Sequence, residues 1–407
     1  MSYVAKRLSA VKPSASMAAS QAAKALAATG VDVIDLGLGE PDFPTPTHIA
    51  DATHQAILDG QTRYTVPNGI LPLRKAIVEK FRRENGLDYA PEDIAVANGA
   101  KQIIFNALMA TVDAGDEVIL PAPYFVSYPE MTKLFDGVPV VVECPVEDGF
   151  RLTPEALEAA ITPRTKWLFL NSPCNPSGAI YSRAQLQALG AVLARHRQVL
   201  ILSDEIYEHI IFDDREFVSF GAACPELRDR SLIVNGVAKA YSMTGWRIGY
   251  AAGPAPLIKA MNTVQSQSVS SVAAPMQAAA LAALTGPQDC IAHFREAFQR
   301  RRDLVVEGIA QINGLTLPPP EAAFYAYIGC AALIGRRTPS GEVLTDDVAV
   351  VKYLLDEGHV SAVPGSAYGL SPYFRISTAT SDAVMSAAIA RIRRAVAALE
   401  PAEEAGA

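Results

Sequence analysis

The chain has 407 residues, 50% hydrophobic and 19% charged, with 35 Lys and Arg against 43 Asp and Glu for a net charge of -8. That length exceeds one average domain and suits two or three, with enough apolar residues for a sizeable core. The basic residues are scattered, which argues against nucleic-acid binding, and no apolar run of about 18 residues suggests a membrane span. Five cysteines occur, Cys144, Cys174, Cys224, Cys290 and Cys330, odd in number and without a CxxC pair. They argue against a disulfide framework or a zinc site. The N-terminus carries no apolar segment of signal-peptide type, so a soluble cytoplasmic protein is expected.

In chain order, a polar arm leads into an Ala-rich helix over Ser16–Ala28. A strand over Val33–Leu36 runs into Gly37-Leu-Gly-Glu-Pro-Asp42, where prolines favour extended backbone. A helix follows over His48–Asp59, then a loop and turn over Tyr64–Gly69. Pro72 opens a helix to Asn85, with Leu73, Ile77 and Phe81 at helical spacing. From Asp93 to about Gly253 short apolar strands alternate with helices. The strands are Ile94–Ala97, Glu117–Leu120, Val138–Val142, Trp167–Leu170, Val199–Leu202, Leu232–Val234 and Ile248–Ala252. The helices between them are Lys101–Val112, Phe125–Phe135, Pro154–Ala160 and Ser182–Arg195. This alternation predicts a mostly parallel sheet covered by helices on both faces, an α/β fold. A long helical region then runs from Pro256 to about Ile312. A smaller α+β unit follows, with strands at Phe324–Ile328 and Phe374–Ser377 and a last helix from Ser381. The segment Pro401–Ala407 reads as a frayed tail.

In parallel sheets, ligands gather at the carboxyl ends of strands, and four such ends here carry reactive side chains. Asn98-Gly-Ala-Lys-Gln102 opens a helix with small residues, a setting for anion binding by backbone N–H groups. Asn171-Ser-Pro-Cys-Asn-Pro-Ser-Gly178 is a rigid loop whose Asn175 has an amide to donate. Ser203-Asp-Glu-Ile-Tyr207 places Asp204 three residues before Tyr207, facing the same way if a helical turn starts there. After Leu232–Val234 comes Lys239, and eight residues later Arg247 within Gly-Trp-Arg-Ile-Gly249. Taken singly, each has a plain structural reading: a strand-to-helix turn, a turn-forming asparagine, a helix cap, a solvated surface lysine. Together they supply a carbonyl-attacking amine, a buried acid, a phenol, an amide and an anion cradle. Those are the needs of pyridoxal phosphate.

The ordered set Asn-x-Pro-x-Asn-Pro-x-Gly, Asp-Glu-x-Tyr, and Lys followed by Gly-Trp-Arg-Ile-Gly resembles the class I aminotransferases of the fold-type I pyridoxal phosphate enzymes. The likeness extends over nearly the whole chain. It is nearest the bacterial aspartate aminotransferase subgroup that begins Lys-Pro-Ser-Ala, here Lys12-Pro-Ser-Ala15. The resemblance implies an N-terminal arm and part of a small domain over 1–45, a large cofactor-binding domain over 46–295, and a small C-terminal domain over 296–407. It implies that Lys239 holds the cofactor covalently and later moves the proton, and that Asp204 pairs with the ring nitrogen. Tyr207 and Asn175 bond the ring oxygen. Arg247 and the backbone at Gly99, Ala100 and Lys101 hold the phosphate. Tyr64 reaches the phosphate of a neighbouring subunit, which implies a homodimer. Arg375 grips the substrate α-carboxylate, and Gly39 lies where a side chain would obstruct substrate.

Three positions depart from the subgroup. Phe125 stands where a tryptophan usually stacks on the cofactor ring, with less area and no indole N–H. The phosphate turn reads Gly-Ala-Lys where Gly-Gly-Lys is usual. Gly236, three residues before the lysine, offers no hydroxyl. For a distal carboxylate the resemblance offers Lys101, Lys12 and the partner's serines within the stretch 265–271. The implied reaction is transfer of an amino group from aspartate to 2-oxoglutarate, with aromatic or other neutral donors, or prephenate, as the alternative. A carbon–sulfur lyase shares the same residue set. A non-catalytic regulator would carry an added DNA-binding segment, and a sugar aminotransferase would leave Arg375 without a carboxylate.

Overall fold

The computed structural model describes residues 3–401. The tail expected over Pro401–Ala407 therefore lies, beyond Pro401, outside the described residues. In chain order the strands are β1 (Ile34–Asp35), β2 (Ile94–Ala97), β3 (Glu117–Ala122), β4 (Val138–Glu143), β5 (Thr165–Asn171), β6 (Leu200–Asp204), β7 (Ser231–Gly236), β8 (Gly249–Ala252), β9 (Tyr325–Gly329), β10 (Val360–Ser361), β11 (Val363–Pro364) and β12 (Tyr373–Ser377).

Seven of these form one sheet in the order β2-β8-β7-β6-β5-β3-β4. All neighbours are parallel except β8, which is antiparallel to both β7 and β2. Side chains alternate across a strand, so each central strand feeds two cores. Ile94, Val96, Leu168, Leu170, Ile201 and Ile233 point into one core. Their neighbours Ala95, Ala97, Trp167, Phe169, Leu202, Leu232 and Val234 point into the other. Fully burying each such Leu or Ile contributes about 1.5–3 kcal/mol. This is the expected fold-type I α/β sheet with helices on both faces.

A third core gathers Leu36 with residues between Val305 and Leu399. Over it lie the antiparallel sheet β11-β12-β9 and the parallel pair β1-β10. The helix Asp289–Ile309 joins the two regions: Phe294 and Phe298 pack near Tyr207, whereas Val305 and Ile309 enter the third core.

Several expected boundaries shift. β6 continues two residues past Leu202, so Asp204 ends a strand, and a turn rather than a helix carries Tyr207. Period alone does not mark that end, because a strand buried on both faces admits a polar residue wherever a partner waits. The helix expected over Phe125–Phe135 spans Tyr128–Leu134, leaving Phe125 in the preceding loop. The long helical region resolves into Ala255–Ser268, Ala274–Thr285 and Asp289–Ile309. β10, β11 and the helix Asp347–Asp356 had no counterpart among the expected elements.

Candidate active site

β7 and β8 are antiparallel neighbours, so a short connection suffices between them. That connection, 237–248, carries both Lys239 and Arg247. It lies at the sheet edge where β5 ends in Asn171 and β6 in Asp204. A cavity of about 340 Å³ opens there. It is lined by Gly39, Gly99, Ala100, Lys101, Phe125, Asn175, Asp204, Tyr207, Lys239, Arg247 and Arg375, together with Glu40, Asn171, Ser14, Ser16 and Tyr325. Of the residues given a role in this chain's own site, all but Lys12 and Tyr64 thus meet in one place.

The Lys239 Nζ donates to the Gly39 carbonyl at 2.6 Å. Burial lowers its proton affinity to about 8; Glu40 opposes this, and Arg375 and Arg247 add to it. Burial also raises the Asp204 carboxyl to about 6, opposed by a hydrogen bond from the Tyr128 hydroxyl at 2.7 Å. The Tyr207 and Tyr325 hydroxyls stand 2.7 Å apart.

Arg375 is 2% exposed, yet no carboxylate pairs with it among the described residues. Its Nη1 donates to Asn175 Oδ1 at 3.1 Å and its Nη2 to the Gly37 carbonyl, while the buried Nε has no partner. The guanidinium lies over the Tyr325 ring at 4.6 Å and near the Tyr368 ring at 5.3 Å. A buried guanidinium without an acid is costly unless an anion completes it. Since Asn175 accepts through its oxygen, its nitrogen is the end left to donate.

Gly99 precedes the helix Ala100–Thr111 at φ 92°, and no side chain caps that helix. A Cβ at Gly99 would meet Arg247 Nη2 at 2.8 Å. Arg247 is tied to the Thr244 and Asn98 carbonyls at 2.9 and 3.3 Å. A bare helix start under an arginine is an anion cradle. Lys101 lies 5.1 Å from the Phe125 ring centre, its proton affinity lowered by burial and by Arg247. At Gly39 a Cβ would overlap the Tyr325 hydroxyl, so the first obstacle to a side chain there is Tyr325 itself.

The two residues outside this cavity are Lys12 and Tyr64. Lys12 is exposed, and its backbone N–H bonds Glu130 Oε2 at 2.6 Å; Ser14 and Ser16 line the cavity in its place. Tyr64 is 92% exposed. Sequence reasoning missed Tyr128 and Tyr325, although both lie in stretches it had marked. Their roles depend on partners 76 and 118 residues away, which no local pattern reports.

An amine of lowered proton affinity, a buried acid, a phenol, an amide, an anion cradle and a buried guanidinium with no acid partner among the described residues fit pyridoxal phosphate and an amino acid. Comparison with known proteins agrees. A family model for aminotransferase class I and II matches residues 31–392. An aspartate/prephenate aminotransferase of Cereibacter sphaeroides is 55% identical over 393 residues, 97% of this chain and 98% of that protein. An aspartate aminotransferase of Rhizobium meliloti is 53% identical, covering 96% and 95%. Among solved structures, a Rhizobium meliloti aspartate aminotransferase superposes with a TM-score of 0.96 at 52% identity, covering 98% of this chain and all of that one. The Thermus thermophilus aspartate aminotransferase with maleate gives 0.90 at 43% identity, covering 97% and 100%. The chain belongs to the class I and II aminotransferases, as a pyridoxal phosphate-dependent enzyme that exchanges amino groups between amino acids and 2-oxo acids.

Proposed function

We propose that this aminotransferase takes its amino group from aspartate and passes it to 2-oxoglutarate. The observation that carries the reading is Arg375, a buried guanidinium without an acid, facing the same cavity as a second cation, Lys101. One cation suits the α-carboxylate and the other a distal carboxylate. The maleate in the Thermus thermophilus relative and the names of the closely similar proteins support a dicarboxylate. The name aspartate/prephenate aminotransferase also keeps prephenate as a second acceptor, since it too carries two carboxylates.

When bound, pyridoxal phosphate supplies an aldehyde that takes up the amino group and a ring that accepts electron density. Lys239 would attach the cofactor and, once displaced by the amino donor, would remove the proton from the donor Cα and, in the second half of the cycle, deliver one to the Cα of the new amino acid. Its lowered proton affinity suits an amine that must be neutral near physiological pH. Asp204, which lines the cavity, would pair with the ring nitrogen and keep it protonated; a cation there would favour the ionised carboxylate. Tyr207 and the Asn175 amide donate to the ring oxygen. Arg247 and the helix start at Gly99, Ala100 and Lys101 hold the phosphate. Arg375 fixes the substrate so that the Cα–H bond is presented to Lys239, an orientation effect.

We further propose a homodimer in which Tyr64 serves the neighbouring site, consistent with its exposure. The serines near the end of the helix Ala255–Ser268 stand beside it, with Ser271 Oγ accepting from the Thr65 N–H at 3.4 Å. The division at 1–45, 46–295 and 296–407 places its second boundary inside the helix Asp289–Ile309, which makes that helix the link between domains. No helix among the described residues is long and apolar enough to cross a membrane, and we place the enzyme in the cytoplasm.

The test is an absorbance spectrum of the cofactor-loaded enzyme. Aspartate is expected to convert the visible band to a near-ultraviolet one in the absence of any 2-oxo acid. Conversion by tyrosine or alanine but not by aspartate would discard the dicarboxylate reading.

A further inference from the structure

Tyr325 has no role in the reading above, yet it touches three parts of the site at once. It opens β9, two residues before Tyr327, which pairs with Arg375 on β12. Residues two apart share a face, so Tyr325 is the diagonal neighbour of Arg375, and its ring lies 4.6 Å beneath the guanidinium. Its hydroxyl is 2.7 Å from that of Tyr207, in the turn that follows β6. It also fills the space that a Cβ at Gly39 would need. The residue is 2% exposed, so this placement is fixed.

Two phenols that share one hydrogen bond have a donor and an acceptor. If Tyr207 gives its proton to the cofactor's ring oxygen, only Tyr325 can supply the proton between them. A donor behind a donor strengthens the outer bond. The ring, meanwhile, is the neutral face against a buried cation that has no acid of its own. We infer that Tyr325 is a positioning residue with two separable effects: its hydroxyl orients and strengthens Tyr207 toward the cofactor oxygen, and its ring holds Arg375 for the carboxylate. This rests on the roles proposed for Tyr207 and Arg375, and the test is arranged to tell the two failures apart.

The measurements use the cofactor-loaded enzyme without turnover. One reads the pH midpoint of the bound cofactor's visible absorbance; the other reads the dissociation constant of succinate, a dicarboxylate that cannot react. Tyr325→Phe is expected to raise the midpoint by roughly 0.2–0.6 pH unit, because the ionised ring oxygen loses support, and to leave succinate affinity unchanged. Tyr325→Leu is expected to give the same midpoint rise and to weaken succinate about three- to tenfold. In a Tyr207→Phe background, adding Tyr325→Phe is expected to shift the midpoint no further. If Tyr207→Phe alone moves the midpoint but Tyr325→Phe does not, the hydroxyl half of this inference is wrong. If Tyr207→Phe itself leaves the midpoint unmoved, the role of Tyr207 fails first. Unchanged succinate affinity in Tyr325→Leu overturns the ring half, provided Arg375→Leu still weakens it.

Discussion

Lys239 and Asp204 share one cleft, and burial moves their proton affinities toward each other, to about 8 and about 6. The cause is common: a low-dielectric site disfavours the charged form of each group. The sign for stability differs. Between about pH 4 and 6 the folded protein holds the Asp204 proton more tightly than the unfolded chain does. Its contribution is therefore present below that window and lost as pH rises through it. Lys239 runs the other way. Its folded affinity lies below that of a free lysine, so stability is gained as pH rises from about 8 to about 10. Denaturation of the cofactor-free protein is expected to show both slopes, and Lys239→Met to abolish only the alkaline one. Tyr128→Phe removes the donor at Asp204 Oδ2, so the acidic window should extend upward in pH. In the loaded enzyme, Lys239→Ala is expected to lower kcat by at least roughly 10³-fold, checked by single-turnover conversion with aspartate.

Behind the site, four elements meet on one buried ion pair. The helix Leu71–Lys80 ends in a wider turn, Phe81–Asn85, that brings Lys80 and Asn85 together, with Lys80 Nζ donating to Asn85 Oδ1 at 2.8 Å. Lys80 also pairs with Glu208, which accepts from Asn85 at 2.6 Å and from Asn235 of β7 at 2.7 Å. Burial opposes ionisation of Glu208, but Lys80 and His209 outweigh it and hold the carboxyl below its usual range. The pair ties the turn that carries Tyr207 to β7, the strand that leads to Lys239. Lys80→Met strands a buried carboxylate and is expected to remove about 3–5 kcal/mol from the unfolding free energy in a denaturant titration. Lys80→Met with Glu208→Leu should recover most of it. A second element-level test concerns the junction of β2 with its helix. Gly99→Ala puts a Cβ at positive φ against Arg247, a strain of about 1–3 kcal/mol, and is expected to lower the unfolding free energy of the cofactor-free protein by about that amount and, in addition, to show as loss of cofactor on dialysis.

At the scale of the whole molecule, the proposed dimer makes each site a joint product of two chains. Tyr64→Ala and Lys239→Ala should each be impaired alone. Mixed after dissociation and reassociation, they should regain activity, because one hybrid site then combines an intact Lys239 with an intact Tyr64. No recovery on mixing would place Tyr64 outside the neighbouring site. The helix Asp289–Ile309 has a comparable joint character within one chain. Arg301 on it binds Asp42 bidentately at 2.7 and 3.0 Å and reaches Asp382 at 3.4 Å, so the 37–46 segment is fastened to the C-terminal region.

The alternation of short apolar strands with helices determined a mostly parallel sheet, because strands buried on both faces go with helical crossovers, but not the antiparallel setting of β8. Spacing and residue type likewise marked Lys239, Asp204, Tyr207, Asn175 and Arg247, since each follows or ends a strand that the pattern reveals, whereas Arg375 was marked by the family resemblance. What tertiary structure alone decided is which of them touch, and what stands behind them. Tyr128 beneath Asp204, Tyr325 between Tyr207 and Arg375, and Lys80 against Glu208 join segments far apart in the chain. β10 and β11, two residues each, exist only because a neighbouring strand supplies their hydrogen bonds. Local sequence encodes what a segment prefers by itself; a buried polar pair is set by desolvation, which depends on every chain segment that closes over it.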